Sequence, residues 1–370
     1  MIIEKQGYAY NDLTVVPEVI SNISSRSECN PFYINGYLPL FTAPMSTVVC
    51  EENIKIWKEN KITPILPRNI SYNIRKEYLY KGEWVAISLK EAEDIFVYGE
   101  KDDILNNAHF CIDIANGHMK KLLDICEEIK NKYPECTIMA GNIANPITIK
   151  HYNKVGIDYV RVGIGGGAGC ITSPQTSIHY PMASLIDACR QFKDYEKLSI
   201  KIVADGGIRV YGDVIKALAL GADYVMIGSV FASLFESAAR FYLPDKWSPG
   251  CYSEQFRLDF GGNEYTVYDL ELSEDLKRAY IGMTPGLHKS FYGMSTKKAQ
   301  KEIAHNAKLK TSEGCSKLLE CKHTINQWVE NFEHYMKSAM SYTNSLNLED
   351  FIGNVQLIVN SAATQNSVNK

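Results

Sequence analysis

From residue 84 onward the chain alternates between short, nearly all-apolar runs and longer amphipathic stretches. The runs are 84–88, 110–114, 137–141, 159–163, 200–204 and 224–228. Strands covered on both faces read as continuous apolar runs, and helices between them indicate a parallel sheet. Several of the runs end in, or are followed by, Asp113, Asn142, Gly163, Asp205 and Gly228. In a barrel the loops at the carboxyl ends of the strands face one common opening, which is where glycine and polar residues are needed. The pattern therefore predicts an α/β fold, a (β/α)8 TIM barrel, with an open doubly wound sheet as the alternative.

The rhythm breaks over 244–290. Gly261-Gly262-Asn263 lies between Phe260 and the β-rich run 264–268, which predicts a β-hairpin excursion. The stretch 296–316 is rich in Lys, Ala, Asn and Ser and has little to bury, so 293–320 is expected to be a mobile active-site flap. An amphipathic helix over 326–342 returns to the barrel, and the tail from Asn360 is polar. The whole chain, 1–370, is read as one catalytic domain.

Composition narrows the function. With 45% hydrophobic and 22% charged residues the 370-residue chain is neither disordered nor fibrous. A net charge of -4 offers no basic field for phosphate backbones, so no nucleic-acid partner is expected. Ten cysteines without a CxxC pair, and a start without a long apolar run, fit a reducing, cytoplasmic setting. The most apolar stretch, 217–235, is interrupted by Gly221, Asp223 and Gly228, so no membrane span is expected.

Residues 163–169 hold five glycines and deliver Cys170 immediately after a strand. Such a loop costs backbone entropy, which a fold accepts where φ is unusual or a ligand touches the backbone. Cys170 is thus a candidate nucleophile, although cysteine is also often a small buried hydrophobe. The segments 203–209 and 226–229 end two consecutive strands, where this fold class commonly holds phosphate. Backbone N–H groups of Gly207, Gly228 and Ser229 suit a phosphate, and the Asp205 carboxylate suits ribose hydroxyls. Ordinary turn glycines with a capping aspartate are the alternative.

At this point the sequence resembles the IMP dehydrogenase and GMP reductase family. The carrying segments are 10–17 (YNDLTVVP), Ser25-Arg26-Ser27, Ala43-Pro44-Met45-Ser46-Thr47-Val48, Asp113-Ile114-Ala115-Asn116-Gly117-His118 and Met139-Ala140-Gly141-Asn142-Ile143-Ala144. The glycine–cysteine loop, Ala204-Asp205-Gly206-Gly207, Gly228-Ser229 and Tyr292-Gly293-Met294-Ser295 complete the order along nearly the whole chain. The resemblance implies that Cys170 adds to C2 of a purine nucleotide, GMP or IMP, as nucleophile in a hydride-transfer reaction. It implies that Asp205 holds the ribose, that Gly206, Gly207, Gly228 and Ser229 cradle the phosphate, and that Met45, Gly293, Met294 and Ser295 surround the nucleotide. Asp113 and Asn142 match cofactor-binding positions. Carbonyls of Gly165, Gly167 and Cys170 match ligands of a monovalent cation such as K+. Family members are commonly homotetramers.

The family's two branches differ in what attacks or leaves C2. The dehydrogenase uses a long flap with an Arg-Tyr pair to activate water, and no such pair lies between Gly293 and Gly314. By resemblance to the reductase, Thr172 and Glu313 act on the 2-amino group, with NADPH as cofactor. Reduction of GMP is therefore expected, with oxidation of IMP by NAD, or a purine-nucleotide-binding barrel without turnover, as alternatives. The chain also departs from the family. Gly166-Gly167-Ala168 stands where Pro-Gly-Ser is usual, Ser46 where aspartate is usual, and Pro67-Arg68-Asn69 where a histidine-containing segment is usual. These departures leave a modified purine nucleotide open as substrate. No paired regulatory (CBS) insertion is seen between the early strands.

Overall fold

The computed structural model describes residues 6–244, 256–260, 263–268, 287–293, 296, 314–361 and 364–365. Strand β1 (Leu13–Val15) lies outside the central sheet. That sheet contains β2 (Leu40–Thr42), β3 (Val85–Ile87), β4 (His109–Asp113), β5 (Thr137–Ile143), β6 (Tyr159–Val162), β7 (Lys201–Asp205) and β8 (Tyr224–Ile227). All seven run parallel, in the order β2-β8-β7-β6-β5-β4-β3.

The first strand pairs with the last, so the sheet curls round on itself. Its two edges, β2 and β3, are both bridged by the segment 63–66, through Phe41 with Thr63 and Val85 with Leu66. The Thr63 N–H donates to the Leu40 carbonyl at 3.1 Å, and the Ala86 N–H to the Leu66 carbonyl at 2.7 Å. The result is a TIM-like parallel sheet.

Alternation along each strand separates two hydrophobic layers. Phe41, Ala86, Cys111, Met139, Val203 and Met226 form an inner cluster with Ile65. Their chain neighbours Leu40, Ile87, Phe110, Ile138, Ile202 and Val225 belong to the outer layer, against the helices. Helix 120–132 shows how that layer is built, burying Leu122, Ile125, Cys126 and Ile129 on one stripe. On the axis, Phe41 packs with ring centroids 5.4 Å from Trp84, 5.9 Å from Tyr159 and 5.0 Å from Tyr224. Trp84, Tyr159 and Tyr224 sit at the amino ends of their strands and, with Phe41 from β2, fill the floor.

A second sheet follows, antiparallel and five-stranded. Its strands are β9 (Phe241–Pro244), β10 (Phe256–Phe260), β11 (Asn263–Tyr268), β12 (His288–Tyr292) and β13 (Ser316–Glu320), in the order β10-β11-β9-β12-β13. Within the 244–290 excursion, β10 and β11 pair from Phe260–Asn263 to Phe256–Val267. The end of the 293–320 segment is strand: β13 pairs with β12 along its full length. An edge strand is held by backbone partners more than by buried side chains, so its polar composition gave no sign of this. Residues 294–295 and 297–313 of that segment lie outside the described residues.

The helix Ile325–Tyr342 starts at a capping box in which the Thr324 hydroxyl accepts from the Gln327 N–H (3.1 Å) and the Gln327 side chain accepts from the Thr324 N–H (3.0 Å). It buries Trp328, Phe332, Met336 and Met340 and stacks Trp328 on Tyr211. Finally β14 (Leu357–Val359) pairs antiparallel with β1. Among the described residues no helix is long and apolar enough to cross a membrane.

Candidate active site

The carboxyl ends of the central strands open into one cleft of about 360 Å³. Strand parity decides which side chains enter it. Asp113, Arg161 and Asp205 lie two residues beyond the inward-facing Cys111, Tyr159 and Val203, so they form the next layer of the interior. Asn142 sits where the β5–β6 register shifts between Gly141 and Ile143. Its amide reaches across to the Gly163 carbonyl and to Asp205 Oδ2, both at 2.8 Å.

These groups form a continuous ionic network. Arg161 donates to Asp113 Oδ1 (2.7 Å) and, through two nitrogens, to Asp205 Oδ2 (2.7 and 3.2 Å). Arg68 donates to the other oxygen of Asp113 at 3.2 Å. Burial pushes the Asp113 carboxyl up, but the Arg68 and Arg161 charges outweigh it and hold it below the usual aspartate value. Burial also works against the Arg161 charge, and the Asp205 and Asp113 carboxylates reverse that effect, so the guanidinium stays protonated. A buried charge survives only when paired in this way.

On the opposite wall the glycine loop presents Cys170, whose Sγ lies 3.2 Å from the Thr172 hydroxyl. The loop is stitched to the second sheet. Cys170 bridges Gly314, the Cys315 N–H donates to the Gly169 carbonyl (3.0 Å), and the Gly293 N–H to the Cys315 carbonyl (3.3 Å). Glycine at 169 is required by this approach, because a Cβ there would lie 2.9 Å from the Gly293 nitrogen. Gly163, with φ of +136°, has still less room, since an added Cβ would lie 2.3 Å from the Asp205 carbonyl oxygen. Gly163→Ala is expected to lower folding stability by about 2 kcal/mol or more, measured by urea denaturation.

Most of the site residues expected from the sequence meet here. Met45, Asp113, Asn142, Gly165, Gly167, Cys170, Thr172, Asp205, Gly206, Gly207, Gly228, Ser229 and Gly293 all line the cleft. Met294, Ser295 and Glu313 lie outside the described residues. The Gly207 N–H, expected to face the phosphate, donates to the Gly166 carbonyl at 2.8 Å. The glycine loop folds over Gly207 and takes up that donor, while Gly228 and Ser229 line the cleft. The Gly167 carbonyl, an expected cation ligand, accepts from the Cys170 N–H at 3.0 Å within the loop's own turn.

Arg68 and Arg161 also line the cleft and were not among the residues expected there. Arg161 had left a signal, a charge inside a strand apolar on both faces, which demands a buried partner. Arg68 stood in a segment noted only for lacking a histidine.

The family model for the IMP dehydrogenase / GMP reductase domain matches residues 101–249. A GMP reductase from Helicobacter pylori is 31% identical over 246 residues, covering 62% of this chain and 72% of the relative. One from Staphylococcus epidermidis is 33% identical over 242 residues, with the same shares of 62% and 72%. An inosine-5'-monophosphate dehydrogenase from Chlorobaculum tepidum is 44% identical over 126 residues, 34% of this chain and 25% of that one. The chain belongs to the IMP dehydrogenase / GMP reductase family. It is accordingly an oxidoreductase, GMP reductase-like in kind.

Proposed function

We propose that the protein catalyses the NADPH-dependent reductive deamination of GMP to IMP and ammonia through a covalent adduct between Cys170 Sγ and C2 of the purine. The observation that supports the reductase most is the bridge between Cys170 and Gly314, because Gly314 follows Glu313 in sequence. A carboxyl group next along the chain from a residue paired with the nucleophile suits proton delivery to the 2-amino group. The 3.2 Å contact between Cys170 and Thr172 adds a hydroxyl able to relay that proton.

The thiolate of Cys170 adds to C2, forming the C–S bond and moving an electron pair onto the ring. Breaking the C2–N bond then requires a proton on the departing nitrogen, which leaves as ammonia. The nicotinamide, when bound, supplies hydride to C2. Release of the Cys170 thiolate gives IMP. Asp205 and the backbone at Gly228 and Ser229 hold ribose and phosphate, and the Asp113–Arg161–Asn142 wall receives the nicotinamide side.

The pure protein mixed with GMP and NADPH is expected to consume the reduced cofactor and to release ammonia. Formation of reduced cofactor from IMP and NAD, with no reaction of GMP, would assign the dehydrogenase reaction instead. Silence in both mixtures, with GMP still bound, would make it a binding protein. Asp205→Ala is expected to weaken GMP binding by about 1.5–3 kcal/mol, the scale of hydrogen bonds to a charged group, as read by calorimetric titration.

A further inference from the structure

The ionic network treats the two oxygens of Asp205 unequally. Arg161 Nη2 (2.7 Å), Arg161 Nε (3.2 Å) and Asn142 Nδ2 (2.8 Å) all donate to Oδ2. Oδ1 receives no hydrogen bond among the described residues, and Asp205 lines the cleft close in the fold to Gly228 and Ser229. Saturating one oxygen fixes the carboxylate plane and leaves the other as an acceptor of set direction. The far side of the guanidinium is fastened as well, to Asp113 Oδ1 at 2.7 Å, and Asp113 is itself held by Arg68 at 3.2 Å. The planar fork therefore cannot turn without breaking bonds on both sides.

We infer that Arg161 is a positioning residue that makes the site selective for ribose over 2'-deoxyribose, by locking Asp205 with one oxygen aimed at the sugar hydroxyls. This rests on the reading of the cleft as a nucleotide site. Arg161 itself is turned to the two carboxylates and has no need to touch the nucleotide. Replacing it leaves Asp205 in place with the Asn142 amide as its remaining donor, a single bond about which the carboxylate can swing, so the hydroxyl contact loses its directional advantage. A merely structural arginine would behave differently, since its loss would weaken every nucleotide alike.

The test is calorimetric titration of wild type, R161Q and R161K with GMP and with 2'-deoxy-GMP. Wild type is expected to bind GMP about ten- to a hundredfold more tightly than the deoxynucleotide, the range for a charge-assisted hydrogen bond. In R161Q the ratio is expected to fall to within about threefold, and R161K, whose single ammonium cannot reproduce the fork, to lie between. An R161Q protein that binds both nucleotides more weakly but keeps the wild-type ratio overturns the inference. If R161Q does not fold, R161K decides: a ratio equal to wild type shows that the fork is dispensable. Wild type that binds GMP without discriminating also overturns it, whereas wild type that binds neither nucleotide overturns the nucleotide reading and this inference with it.

Discussion

Cys170→Ala is expected to abolish turnover of GMP while leaving its binding within about threefold of wild type, with kcat down by about 10⁴-fold or more. In the proposed mechanism the thiol supplies the one bond that turns C2 into a centre able to lose ammonia and accept hydride. No other described side chain in the cleft is a comparable nucleophile: Cys111 is fully buried beneath the ionic layer, where burial raises its thiol to about 12 and keeps it protonated. Binding survives because the phosphate and ribose contacts assigned to Gly228, Ser229 and Asp205 do not involve the loop's sulfur. The loop itself is held by backbone bonds at Gly167, Gly169 and Gly314, which the substitution leaves intact. Titration with GMP and a single-turnover assay of ammonia check both halves, and substantial activity in the variant would sink the covalent mechanism.

Glu313→Gln is expected to suppress ammonia release by at least about a hundredfold, with GMP and NADPH still bound. Amide ions are poor leaving groups, so the C2–N bond breaks only as a proton arrives. Glutamine keeps the size and polarity of glutamate and removes the exchangeable acid. The Thr172 hydroxyl stays 3.2 Å from Cys170 Sγ, but lacks the acid with which it is proposed to act. Single-turnover release of ammonia from GMP at the wild-type rate would show that another group protonates the leaving nitrogen.

The central sheet was legible because its strands are covered on both faces. Runs such as 137–141 and 224–228 have no polar face to disguise, and they match β5 and β8 closely. Leu40–Thr42 gave no such run: three residues enclosed by Pro39 and Pro44 become a strand only through β8 on one side and the 63–66 segment on the other. The pairing of β1 with β14 was equally invisible, since nothing local in 13–15 specifies a partner at the far end of the chain. Cys170 stood out because glycine density is a local property. Arg161 did not, because its role is defined by two carboxylates on different strands that adjoin it only after the sheet curls. Sequence motifs thus displayed the glycine–cysteine loop and Asp113 and Asp205, while Arg161, which joins the two carboxylates, emerged from tertiary packing.

The aromatic floor sets the direction of traffic. Phe41, Trp84, Tyr159 and Tyr224, in contact around the axis, fill the amino end of the TIM-like sheet among the described residues. Under the proposed reaction, nucleotide, nicotinamide and ammonia share the opening at the carboxyl ends of the strands. Ammonia then clears the same passage through which the proposed hydride donor approaches, so departure of one and engagement of the other become successive events.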